Sequence, residues 1–132
     1  MPIKTYKQFP NFIEVSHPLI QHKLSLLRDY KISKREFKEL LHEISILLAY
    51  EVTKDLPVIE TQVETPLERC NTPVLAGKKP VVLPILRAGI GMVDGFLTLM
   101  PSARVGHIGI YRNESTLKPE LYFFKIPNNS DI

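Results

Sequence analysis

The stretch "PVVLPILRAGIGMVDGF", residues 80–96, decides the fold. Six of the seven residues from Val81 to Arg87 are apolar or proline, so the segment reads as a strand with both faces buried. Such strands belong to parallel α/β sheets, whose two faces are covered by helices. The strand ends at Arg87, and Ala88, Gly89 and Gly91 follow it. "GIGMVDGFLTLM" (89–100) is long enough for a crossover helix of about ten residues, which Pro101 would close. "VGHIGIY" (105–111) is a second apolar strand, and the strand–helix–strand order predicts a right-handed βαβ unit. "LYFFKI" (121–126) has the same texture and predicts a further buried strand.

Upstream the pattern turns helical. Residues 1–11, with prolines at 2 and 10, read as a loose N-terminal tail, and "FIEVS" (12–16) as a short strand. "HPLIQHKLSLLRDY" (17–30) follows Ser16, the expected N-cap, and carries Pro18 in its first turn. "SKRE" (33–36) has the form of a capping box, in which the Ser33 hydroxyl receives the Glu36 amide. Beyond it Phe37, Leu40, Leu41, Ile44, Leu47 and Leu48 fall on one stripe, predicting a helix to about Thr53 with that stripe buried. His42 lies off the stripe and reads as a surface residue. "PVIETQVETPL" (57–67) predicts a strand with one polar face, and "ERCNTPVLAGKKP" (68–80) a loop.

Composition bounds the rest. At 132 residues the chain has the length of one domain, divided here into the tail 1–11 and a domain 12–132. Apolar residues are 44% and charged residues 23%, the balance of a globular chain. No apolar run reaches the roughly 20 residues that cross a bilayer, and no secretory h-region opens the sequence. Cys70 is the single cysteine, which excludes an internal disulfide; a cytoplasmic setting is the expectation, with the thiol inert. The net charge of +3 is spread along the chain, without a basic block and without interleaved aromatics, so nucleic acid is not the expected partner.

The chemistry gathers at strand ends. In open parallel sheets ligands bind beyond the carboxyl ends of the strands. The two strong strands end in Arg87 and Arg112, whose guanidinium forks match phosphate oxygens bidentately. Gly89 and Gly91 let backbone amides approach an anion. The pattern fits a pyrophosphate-sized pocket, and it also fits ordinary strand ends emerging into water. Asp94 reads as a surface or helix-capping residue, and His107 as a histidine of the core.

Four segments carry a resemblance: "HPLIQHKLSLLRD", "FKELLHEISILLAYEVTKDLP", "PILRAGIGMVDG" and "PSARVGHIGIYRNESTLKPELYFFKIP". From Phe12 onward the chain resembles the N-terminal part of a uracil phosphoribosyltransferase. The fold this implies is α/β: a truncated type I phosphoribosyltransferase-like parallel sheet with N-terminal helices and a projecting β-arm. The resemblance implies that Arg87 and Arg112 contact the phosphates of 5-phosphoribosyl 1-diphosphate, with the turn Arg87–Ala88–Gly89 as the pyrophosphate loop. It further implies uracil as the second substrate, Mg²⁺ bound through the diphosphate, and a homodimer made through the arm at 113–126.

The family pattern continues with a strand bearing D-P-x-x-A-T-G-G-S, which holds the ribose 5-phosphate, and a later segment that reads uracil. Neither is in these 132 residues, where no two glycines are adjacent. The expectation is therefore an incomplete domain, inactive by itself or a non-catalytic remnant or interaction module. If strand 105–111 borders the missing strand, it would also have an open apolar edge.

Overall fold

The computed structural model describes residues 3–77 and 79–127. It opens with an antiparallel hairpin of β1 (Ile3–Tyr6) and β2 (Phe9–Val15), in which Lys4 pairs with Glu14. Within the segment read as a loose tail, Ile3–Tyr6 and the residues from Phe9 are therefore strand, joined by a turn at Lys7 and Gln8. Cross-strand contacts explain it: the Tyr6 hydroxyl donates to the Glu14 carboxylate, and the Tyr6 and Phe12 rings meet edge-on at 5.4 Å.

Two helices follow, α1 (Pro18–Leu27) and α2 (Lys34–Val52). The N-cap of α1 is His17, not Ser16: His17 Nδ1 accepts from the Leu19 amide at 3.1 Å. Pro18 causes the shift, because a proline disfavours helical geometry in the residue before it, and His17 is extended at φ −132°. Ser16 instead accepts from the Gln21 side-chain amide at 3.0 Å. In α2 the Ser33 hydroxyl accepts from the Glu36 amide at 3.1 Å, as the capping box predicts.

The buried face of α2 is rotated from the predicted stripe. Ile44 is buried, Leu40, Leu41, Leu47 and Leu48 are half-buried, and Phe37 is exposed. The fully buried positions are Ser45 and Ala49, one turn apart, because a third helix crosses there. That helix is α3 (Val93–Leu99), entered through a 3-10 turn at Ala88–Met92. A Cβ on Gly91 would stand 2.7 Å from Leu41 Cδ2, so the turn lies against α2 as well.

Residues 68–80, expected as a loop, contain a strand. β3 (Val58–Glu64) and β4 (Arg69–Leu75) pair antiparallel over their whole length, Val58 with Leu75 and Glu64 with Arg69. Thr65 builds the turn: its Oγ1 accepts from the Glu68 amide at 3.0 Å, and its own amide donates to the Glu68 carbonyl at 2.9 Å. Pro73 is tolerated within β4, since both strands of a two-stranded sheet are edges.

The parallel ladder is made of β5 (Val81–Val82), β6 (Ile85–Leu86), β7 (Arg104–Val105) and β8 (His107–Arg112). β5 pairs with β7 and β6 with β8, both parallel, with the 3-10 turn and α3 between them in sequence. Amides of Arg104, Gly106 and Ile108 donate to the carbonyls of Pro80, Val82 and Pro84 at 2.9, 2.9 and 3.1 Å. The ladder is thus one run, nicked where Pro84 has no N–H to return.

β9 (Pro119–Lys125) corrects two expectations. It is antiparallel to β8 and mostly exposed, so "LYFFKI" is not a buried parallel strand. β8 is flanked by β6 on one side and β9 on the other, so the strand expected to have an open edge lies in the middle of its sheet. The fold is mixed α/β, with parallel pairing confined to the ladder and small antiparallel sheets around it.

Candidate functional site

Register sets the relation between the two arginines. Leu86 of β6 is the partner of Gly109 in β8; Arg87 follows Leu86 directly, and Arg112 lies three residues beyond Gly109. At about 3.3 Å per residue and about 4.8 Å between strands, their Cα atoms are on the order of 10 Å apart. Both leave the same carboxyl edge of neighbouring parallel strands, and both are exposed.

Between them runs a tight loop. The Leu86–Arg87 peptide is cis, and Arg87 takes helical geometry at φ −99° as the cap of the 3-10 turn. Its carbonyl accepts from the Ile90 amide at 3.2 Å, which folds Ala88 and Gly89 into a compact bend. A Cβ on Gly89 would reach Pro84 at 3.4 Å, so this bend rests on the proline that nicks the ladder.

A polar cluster beside Arg112 was not foreseen. The Tyr111 hydroxyl donates to one Glu120 carboxylate oxygen, and the Asn113 side-chain amide donates to the other at 2.8 Å. The hydrogen bond to Tyr111, with help from Asn113, holds the Glu120 pKa below its ordinary value, and the same bond raises that of Tyr111. Asn113 Oδ1 accepts from the amides of Ser115 and Thr116 at 2.8 and 3.1 Å, folding the turn that carries Leu117 at φ +58°. Tyr111 and Glu120 are cross-strand partners, so the available signal was a tyrosine facing a carboxylate around a turn rich in Asn, Ser and Thr.

The other single residues stay apart from this edge. Cys70 is a half-buried free thiol opposite Val63 in the β3–β4 hairpin. His107 is half-buried at the start of β8, at the end of the strand away from Arg112. His42 and Asp94 line a shallow cleft of about 220 Å³ where α3 begins, and Asp94 sits in the first turn of that helix. Among the described residues no three His, Cys, Asp or Glu side chains converge to hold a metal ion.

A cavity of about 510 Å³ lies elsewhere, along β5 and β6. Val81, Leu83, Ile85, Val93, Phe96 and Met100 form much of its apolar wall, and Gly89 and Met92 link it to the 3-10 turn that Arg87 caps.

These features define a mixed α/β protein that presents two arginines, Arg87 and Arg112, at the carboxyl edge of neighbouring parallel strands. A sequence model of the family described as Uracil phosphoribosyltransferase matches residues 14–132, and the chain belongs to that family. It is 52% identical over 117 residues to a uracil phosphoribosyltransferase of Clostridioides difficile, covering 89% of this chain and 56% of the relative. Against the Thermoanaerobacter sp. enzyme identity is 55% over 121 residues, covering 92% and 58%. Against that of Lactococcus lactis subsp. cremoris it is 58% over 116 residues, covering 88% and 55%. Among solved structures, the AQ2163 protein from Aquifex aeolicus superimposes with a TM-score of 0.79 at 38% identity, over 86% of this chain and 55% of that one. The chain therefore spans a little over half the length of the curated relatives it matches. No helix of the described residues is long and apolar enough to cross a membrane.

Proposed function

We propose that this chain supplies the diphosphate-binding part of a uracil phosphoribosyltransferase, which joins uracil to 5-phosphoribosyl 1-diphosphate and releases UMP and diphosphate. The observation that carries the reading is the register of β6 and β8, from which Arg87 and Arg112 leave one edge beside each other. In the reaction the bond from the anomeric carbon to the diphosphate breaks while a uracil nitrogen, giving up its proton, bonds to that carbon. Negative charge grows on the departing diphosphate, and fixed donors aimed at it stabilise the transition state more than the ground state. Arg87 and Arg112 would clamp those oxygens, with the amides of Ala88 and Gly89 beside them.

The described residues offer no metal cage, so a Mg²⁺ ion in this reading would be held by the diphosphate oxygens it neutralises. A cytoplasmic setting goes with this reading. The segment 113–126 would act as the dimer arm, supported by the exposed Leu121, Tyr122 and Phe124 of β9. The coverage of 55–58% of the relatives favours a companion reading, in which these residues bind but do not turn over alone.

Calorimetric titration with inorganic pyrophosphate tests the binding part. Weak, salt-sensitive binding that Arg87→Ala abolishes is expected, and binding indifferent to Arg87→Ala would refute the clamp. No UMP should form from uracil and 5-phosphoribosyl 1-diphosphate with these 132 residues alone. Robust synthesis would overturn the companion reading.

A further inference from the structure

Arg87 and Arg112 are not held alike. Arg87 directly follows β6, which is built into the parallel ladder. Arg112 ends β8, whose register with β6 stops at Gly109, while its register with β9 runs on from Ile110 to Arg112. Past Gly109 the arginine rides on a two-stranded ribbon, a structure only marginally stable by itself. The β9 register also shifts between Gly109 and Ile110, and Pro119 faces Arg112 without an N–H to donate. Backbone pairing alone therefore leaves this cation loosely placed.

Side chains add what the backbone lacks. Successive side chains of a strand alternate between faces, so Tyr111 and Asn113 share one face of the ribbon and Arg112 takes the other. One carboxylate ties both neighbours of the arginine. Glu120 accepts from the Tyr111 hydroxyl on one oxygen and from the Asn113 side-chain amide, at 2.8 Å, on the other. Asn113 is fixed in turn, since its Oδ1 accepts from the Ser115 and Thr116 amides and its backbone amide donates to the Lys118 carbonyl at 2.9 Å. The Tyr111 ring is backed by Tyr122, centroid to centroid 5.9 Å, in the space that Gly109 leaves open. The bonds from Tyr111 and Asn113 hold the Glu120 pKa below its ordinary value, so at neutral pH both oxygens are acceptors. Both donors are neutral. Among the described residues no carboxylate pairs with Arg112, so its charge stays available to an anion.

We propose that Glu120 is a positioning residue for Arg112: by binding Tyr111 and Asn113 on one face of the ribbon, it fixes the strand end from which Arg112 reaches an anion on the other. A planar guanidinium grips a phosphate with two donors only over a narrow range of orientations, so a loose stem weakens the grip. The inference rests on the diphosphate reading and deepens it, by naming what orients one of the two clamping residues. Charge alone predicts the opposite effect. Glu120 is an anion near an anion's site, and its removal would by Coulomb's law tighten binding.

Calorimetric titration of the chain with inorganic pyrophosphate decides between the two signs. Glu120→Gln keeps the side-chain length but only one accepting oxygen, and it should weaken binding by about fivefold or more. A smaller loss, no change or tighter binding would overturn the proposal. In the Arg112→Ala background the same substitution should have no further effect, because Glu120 acts through Arg112. A further loss beyond about twofold would show a general structural role and overturn it. Tyr111→Phe deletes a single hydroxyl and keeps the ring against Tyr122, so it is the milder variant should Glu120→Gln disturb the hairpin. It should weaken binding by about twofold or more, and full affinity would overturn the proposal. Nitrogen-15 NMR supplies a readout that does not depend on affinity. At saturating pyrophosphate the Arg112 Nε–Hε resonance should shift in the unaltered chain and clearly less in Glu120→Gln, while that of Arg87 shifts in both. Equal Arg112 shifts would overturn the proposal. Loss of binding in Arg112→Ala but not in Glu120→Gln would leave the clamp standing and remove only the positioning role. Absence of binding by the unaltered chain, or binding indifferent to both arginines, would remove the clamp and the proposal with it.

Discussion

Gly95 of α3 lies so close to Ser45 of α2 that a Cβ added to the glycine would stand 2.4 Å from the serine Cβ and 2.9 Å from the His42 carbonyl oxygen. Ser45 is fully buried, and its hydroxyl donates to the Leu41 carbonyl at 2.7 Å, so it does not compete for the crossing. This contact seats α3, and with it the 3-10 turn that begins at Arg87. Two opposing effects meet in Gly95→Ala. Helix propensity alone would stabilise by about 1 kcal/mol, whereas overpacking against backbone costs about 1–3 kcal/mol. The backbone cannot move aside, so net destabilisation is expected in urea unfolding. A gain in stability would show that α2 and α3 do not cross this closely.

Ile44 and Phe37 lie on the same predicted stripe with different outcomes, 6% against 42% exposed. Ile44→Ala should cost about 2–5 kcal/mol, as at a true core position. Phe37→Ala should cost clearly less in the same unfolding assay. Equal losses would return the buried face of α2 to the sequence-predicted stripe.

If Arg87 and Arg112 hold one anion, their contributions to pyrophosphate binding are coupled. A double-mutant cycle of Arg87→Ala and Arg112→Ala should give a coupling of about 0.5–3 kcal/mol. Additive losses would mean two separate sites. Arg87→Lys should not restore binding, because an ammonium cannot replace a planar two-pronged donor.

The Tyr111–Glu120 pair gives the β8–β9 hairpin a pH window. Glu120 is held below its ordinary 4.5, so its contribution is complete above that value and lost as pH falls through the lower folded value. Tyr111 is raised above 10.0, so its contribution is complete below that value and lost as pH rises through the higher folded one. Hydrogen exchange of the hairpin amides should therefore speed up at both extremes relative to neutral pH. Tyr111→Phe should flatten the alkaline limb. A profile unchanged by that substitution would leave the tyrosine without a part in it.

Local chemistry was legible in the sequence wherever one residue decides an outcome. Ser33 capped α2 as its spacing predicts, and the run from Val81 to Leu86 formed parallel ladder. Arg87 and Arg112 were readable as strand ends, which is why their shared edge could be anticipated. What pairing decides was not readable. Nothing in "RCNTPVL" alternates strongly enough to announce β4, which exists because Thr65 closes a turn against β3. "LYFFKI" carries the composition of a buried strand but lies antiparallel and exposed, since composition does not reveal which neighbour a strand meets. Pro18 moved the α1 cap by one residue through a backbone restriction that a cap preference alone misses.

The ladder from Val81 to Gly109 also fixes an order of events during folding. Hairpins and helices close over short stretches of chain, and such hairpins form in about 1–10 μs. Pairing Val81 with Arg104 must instead bring together positions separated by the 3-10 turn and α3. Closing that longer loop costs chain entropy before any of its bonds is made. In pulse-labelling experiments the Gly106 and Ile108 amides should gain protection after those of the β3–β4 hairpin, and the reverse order would refute this sequence. The edge that presents Arg87 and Arg112 would then be among the last parts of the chain to assemble, and the first exposed when it comes apart.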